Sequence, residues 1–66
     1  MNNEEAKRQM RQGKRLRHAD VEDDCFLFID PLTGDVMFAD LHGTYCEVAS
    51  SYHFDVSHEW EEVYMH

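Results

Sequence analysis

All six basic residues of this 66-residue chain, Lys7, Arg8, Arg11, Lys14, Arg15 and Arg17, fall between positions 7 and 17, and no lysine or arginine follows. Eleven of the fourteen acidic residues lie after position 20, so residues 1–20 carry a formal charge of +3 and residues 21–66 a charge of −11, together giving the net −8. Ordinary soluble domains mix the two signs over their surface. A chain split this way either folds its basic segment onto its acidic one or turns each toward a partner of opposite sign.

Apolar residues divide at the same place: Met1, Ala6, Met10, Leu16 and Ala19 are all that the first twenty positions hold, against 23 in the rest. This predicts a basic helix or arm over 1–20 and a small acidic sheet domain over 21–66, within one domain overall. A chain of this size buries only about 60% of its unfolded surface, so its fold is simple or is completed by a partner. The longest apolar run is five residues, Cys25 to Ile29, too short for a membrane span or the core of a secretion signal. The expectation is a cytoplasmic protein with no membrane partner.

Residues 3–18 are mostly good helix formers, with Asn2 or Asn3 available as a cap and Glu4 and Glu5 suited to the positive end of the dipole. The spacing predicts a helix with a thin apolar stripe, Ala6, Met10 and Gly13 with Leu16 nearby, which needs the acidic body or a ligand to hold it. Cys25–Ile29 reads as a strand, Asp30-Pro31-Leu32-Thr33-Gly34-Asp35 as a hairpin loop and Val36–Asp40 as the returning strand. After a turn at Leu41-His42-Gly43, alternation places Cys46, Val48, Ser50, Tyr52, Phe54 and Val56 on one face and Tyr45, Glu47, Ala49, Ser51, His53, Asp55 and Ser57 on the other. One long bent strand follows, because Ser50-Ser51 lacks the glycine or asparagine of a tight turn. Ser57 can cap a short final helix with Trp60, Val63 and Tyr64 on one face, an edge strand being the alternative. The fold class expected is α+β: an N-terminal basic helix, a three-stranded antiparallel meander with a fourth strand as the alternative, and a short C-terminal helix.

Chemistry-bearing motifs are few. Cys25, His42, Cys46, His53 and His58 are the candidate metal ligands, but no C-x-x-C and no paired histidine spacing joins them. They read as buried thiols and exposed histidines, so neither a metal nor a cofactor is expected. His58-Glu59 is not completed to H-E-x-x-H, and there is no phosphate-binding glycine loop or nucleophile elbow. With little chain to enclose a pocket, the protein is expected not to be an enzyme and to have no catalytic residue.

Charge is therefore the functional signal. Glu22, Asp23, Asp24, Glu47, Asp55, Glu59, Glu61 and Glu62 form the expected acidic partner-binding surface, with Tyr45, Trp60 and Tyr64 as aromatic anchors where the core does not need them. An array of carboxylates presents the sign of a nucleic-acid backbone to a basic protein surface. The first expectation is a non-enzymatic inhibitor or regulator that blocks such a surface by nucleic-acid mimicry. In size and charge the chain is similar to the short acidic inhibitors that phages and mobile elements encode, such as anti-CRISPR, anti-restriction and uracil-glycosylase-inhibitor proteins; the likeness covers no motif and carries no residue across. The alternatives are a regulator binding DNA or RNA through Arg8, Arg11, Lys14, Arg15 and Arg17, or a small oligomeric adaptor or antitoxin whose sheet edges pair between copies, as in a dimer.

Overall fold

The computed structural model describes residues 1–64. The first helix, α1, spans Asn3–Arg11, with the Asn2 side chain accepting a hydrogen bond from the Glu5 amide at its start. It stops well short of His18, the end expected from composition. The reason is Gly13: at φ +90 it takes the left-handed conformation just past the helix, and its amide closes on the Met10 carbonyl. The same glycine that weakens a helix interior here ends one and reverses the chain.

Because the chain reverses, Leu16–His18 is a strand, β1. Four more follow: β2 (Cys25–Ile29), β3 (Val36–Asp40), β4 (Cys46–Val48) and β5 (Trp60–Glu62), with a four-residue helix, α2 (Tyr52–Asp55), between the last two. They form one antiparallel sheet in the order β4-β3-β2-β1-β5, so the expected three or four strands are five among the described residues. The hairpin over Asp30–Asp35 forms as expected. Gly34 adopts φ +79 and donates to the Asp30 carbonyl, while the Asp30 carboxylate accepts the Leu32 amide.

Two C-terminal expectations are overturned. The long strand after Thr44 breaks after Val48: Ser50 Oγ accepts the Tyr52 amide, a local bond that competes with a strand ladder, and α2 begins. Its two-face assignment fails as well, since Cys46 and Val48 are exposed while Ala49 and His53 turn inward together with Phe54. The terminal segment is the edge strand β5, the alternative to the expected helix. Against β1 it gains the cross-strand pairs His18–Trp60 and Arg17–Glu61, an aromatic contact and an ion pair that a free helix would lack.

The core lies on the sheet face carrying Leu16, His18, Cys25, Leu27 and Trp60, beneath Ala6 and Met10 of α1, with Val21 beside them. Residues 1–20 thus contribute Ala6, Met10, Leu16 and His18 to the interior and are neither an arm nor only a surface helix. Asn3 joins α1 to the C-terminal half. Its Oδ1 accepts from Trp60 Nε1 at 2.8 Å and from the His58 amide at 3.1 Å, and its Nδ2 donates to the Val56 carbonyl at 3.0 Å. Replacing Asn3 by Ala strands the buried indole N–H, so the N3A chain should lose about 2 kcal/mol of stability. Urea unfolding followed by Trp60 fluorescence checks this, as a lower midpoint at unchanged slope.

Candidate functional site

Three of the five histidines meet at the end of β1. His18 projects from β1 into the core, His53 comes from α2, and His58 from the loop leading to β5. The His18 and His58 rings stack at 3.7 Å between centroids, and Trp60 meets His18 edge-on at 4.6 Å. His18 Nδ1 accepts the Asp20 amide at 3.2 Å, and since an amide can only donate, the neutral ring carries its proton on Nε2. That proton points to His53 Nδ1, 2.7 Å away. Asp20, exposed above the cluster, accepts the Tyr52 hydroxyl at 2.6 Å, and this bond lowers the Asp20 pKa and raises that of Tyr52.

His58 is the unsatisfied member. Its side chain is 8% exposed, its Nε2 has no hydrogen-bond partner among the described residues, and its Nδ1 stands 3.9 Å from Asp20 Oδ2, beyond hydrogen-bond range. The donor atoms of His18, Asp20 and His58 all lie within 4.8 Å of one another, as do those of Glu22, Asp24 and Cys25 in a second group. The expectation of exposed histidines holds for His42 and fails for His53 and His58, and His18, outside that candidate set, is buried as well. His18 escaped the sequence reading because a three-residue strand after a helix offers too little alternation to reveal its face.

The acidic residues separate by the direction of the strands. Where β1 and β3 end and β2, β4 and β5 begin, one end of the sheet gathers Glu22, Asp23 and Asp24 in the β1–β2 loop and Glu59 before β5. All four side chains reach solvent. Glu47 lies on outer strand β4 and Glu61 and Glu62 on the opposite outer strand, about 19 Å away at four strand spacings. Asp55 is exposed on α2. The eight acids are therefore one end cluster and scattered edge charges.

The basic residues do not share one helix. Arg8 and Arg11 lie on α1, Lys14 and Arg15 in the following loop, and Arg17 on β1. Several are engaged internally: Arg8 pairs with Glu5, Lys14 with Glu62 at 4.0 Å, and Arg17 with Glu61 at 2.7 Å and Asp23 at 3.4 Å. The Arg15 guanidinium covers the Phe26 ring at 5.6 Å. Lys14 and Arg15, just before β1, lie at the end of the sheet opposite the acidic cluster.

Of the aromatic candidates, Trp60 is a core residue at 2% exposure, Tyr64 is exposed, and Tyr45 is half exposed with its hydroxyl 3.0 Å from Cys25 Sγ. Burial raises the Cys25 thiol pKa, so this cysteine is a poor nucleophile at neutral pH. Cys25 is buried and Cys46 exposed, both free thiols, which corrects the expectation that both are buried. Register places Phe28, Met37, Cys46 and Val48 on the sheet face away from α1 and α2. No helix among the described residues is long and apolar enough to cross a membrane. No protein-family model, curated protein or solved structure matches the chain.

Burial, followed by the charges of His58 and His53, pushes His18 from its ordinary 6.5 down to about 4, and burial also lowers His53. The unfolded chain therefore binds the His18 proton first. Stability should be fully present above pH 6.5, fall as pH drops toward 4, and gain no further loss from this group below that. The fall should show as a lower urea midpoint at pH 4 than at pH 7, read with chelator present; a flat profile would contradict the buried neutral imidazole.

Proposed function

We propose that this chain is a non-enzymatic, protein-binding regulator that presents its acidic end to a basic, nucleic-acid-binding surface of a partner and blocks it by charge mimicry. The observation that carries the reading is the loop Glu22-Asp23-Asp24, joined by Glu59, solvent-accessible at one end of the sheet. Asp23 has only a partial counter-charge, 3.4 Å from Arg17, and Glu59 takes the N-terminal amine at 2.7 Å. Fixed carboxylates of one sign speed encounter with a basic partner and orient the docked complex. Direct binding of DNA or RNA is the weaker reading, because Arg17, Lys14 and Arg8 are partnered by the chain's own acids.

A second reading has one specific observation behind it. All three residues of the outer strand β4 are exposed, which leaves an edge able to pair with another copy, as an oligomeric adaptor or antitoxin would. Sedimentation that is monomeric at every concentration removes it.

The test of the first reading is affinity capture from nuclease-treated lysate, elution with competing duplex DNA, and comparison with the E22K/D23K/D24K chain. A captured nucleic-acid-processing protein should be released by the competitor and by rising salt, and its affinity for the triple variant should fall about ten-fold or more, since like charges brought together in an interface cost several kcal/mol. A partner that ignores salt, competitor and charge reversal alike would sink the mimicry.

A further inference from the structure

We propose that His18, Asp20 and His58 form a binding site for a divalent transition-metal ion of the zinc class, with His53 as the partner that holds the His18 tautomer. The proposal starts from His58. Its ring makes no side-chain hydrogen bond among the described residues: Nε2 is enclosed without a partner, and Nδ1 is the nitrogen that faces Asp20, so the ring's one outward-facing donor position is open to an ion. Its Nδ1 lies 3.9 Å from Asp20 Oδ2, and the three donor atoms fall within 4.8 Å of one another. Zinc bonds of roughly 2.0–2.2 Å to nitrogen and oxygen set neighbouring donors about 3.3 Å apart in a tetrahedron. The donors stand within about 1.5 Å of that spacing.

The protonation pattern suits a metal ligand. His18 gives its Nε2 proton to His53, leaving its one lone pair on Nδ1, where it accepts the Asp20 amide at 3.2 Å, a long bond that an incoming ion displaces. A ligating histidine characteristically donates its other ring N–H to a nearby acceptor, which fixes its orientation and raises its basicity. Asp20 supplies an ionised oxygen at the solvent-exposed rim, an open entry route, and two imidazoles with one carboxylate are a donor set zinc accepts with water as the fourth ligand. Parallel rings 3.7 Å apart cannot aim in-plane lone pairs at one ion, so uptake tilts the His58 ring out of its stack on His18. His58 lies in the loop between α2 and β5, outside the sheet ladder, where such a tilt leaves the strand pairing intact.

The full chain, stripped with a chelator, is titrated with zinc chloride by calorimetry and with cobalt chloride by visible absorption. One ion should bind per chain, and cobalt should quench Trp60, the sole tryptophan, whose ring is 4.6 Å from that of His18. Asp20→Asn should weaken binding at least ten-fold, and His53→Phe about 10- to 100-fold, as loss of an outer partner does. His42→Asn, at an exposed histidine away from the cluster, should bind like the parent. Failure of the folded parent chain, verified by circular dichroism, to bind zinc saturably and to show cobalt quenching overturns the proposal. Loss of binding in His42→Asn, or in Asp24→Asn with Asp20→Asn unaffected, places the ion elsewhere and overturns it as well.

Discussion

The insertion of β1 between β2 and β5 is the arrangement on which the rest of the molecule depends. Its residues are only Leu16, Arg17 and His18, yet two of them are fully buried and the third bridges two acids. Without that strand β5 has no neighbour, Leu27 loses Leu16 across the ladder, and Trp60 loses His18. The helix would lose its seat too, since Ala6 and Met10 pack on the surface that β1 helps to complete. A reversal at one glycine thus turns a basic tail into the middle of a sheet.

That insertion also decides what the charge segregation means. Arg17 comes to lie between Asp23 and Glu61, and Lys14 beside Glu62, so part of the positive charge is spent inside the fold. These contacts are mostly exposed at their carboxylate ends and each contributes little to stability. Their larger effect is on the field outside. They dilute the negative charge along the β5 edge and at Asp23, and leave Glu22 and Asp24 of the β1–β2 loop without a lysine or arginine partner among the described residues.

The hairpin from Cys25 to Asp40 was legible because its strands alternate with turn chemistry that names its own geometry: proline, then a glycine that must be left-handed. The acidic character was legible as composition, but its gathering at one end was not, since strand direction decides which loops are neighbours. Gly13 was misread because a glycine in a helical pattern is locally the same signal whether it weakens the helix or stops it. The alternation from Cys46 to Val56 was genuine as a pattern and wrong as a structure. Two adjacent serines gave the chain an alternative to the ladder, and inward contacts from His53 and Phe54 outweighed strand periodicity. The histidine site was hidden for a different reason: its members are 35 and 40 positions apart from His18, with no spacing motif, and only the burial of β1 brings them together.

The interior that results is unusually dependent on polar joints. Among the described residues nine apolar side chains are buried, and beside the packing of Ala6, Met10 and Phe54 the ties of α1 and α2 to the sheet include polar contacts of Asn3, His18, His53 and Trp60 Nε1. Buried polar groups stabilise when every member has a partner and cost heavily when one does not, because the surrounding dielectric is low. In a larger domain one unsatisfied imidazole is absorbed by the rest of the core. Here it sits where α2, β1 and β5 meet, beside the His18–His53 hydrogen bond that joins α2 to β1. The corner that completes the core is thus held by polar contacts as well as by apolar burial.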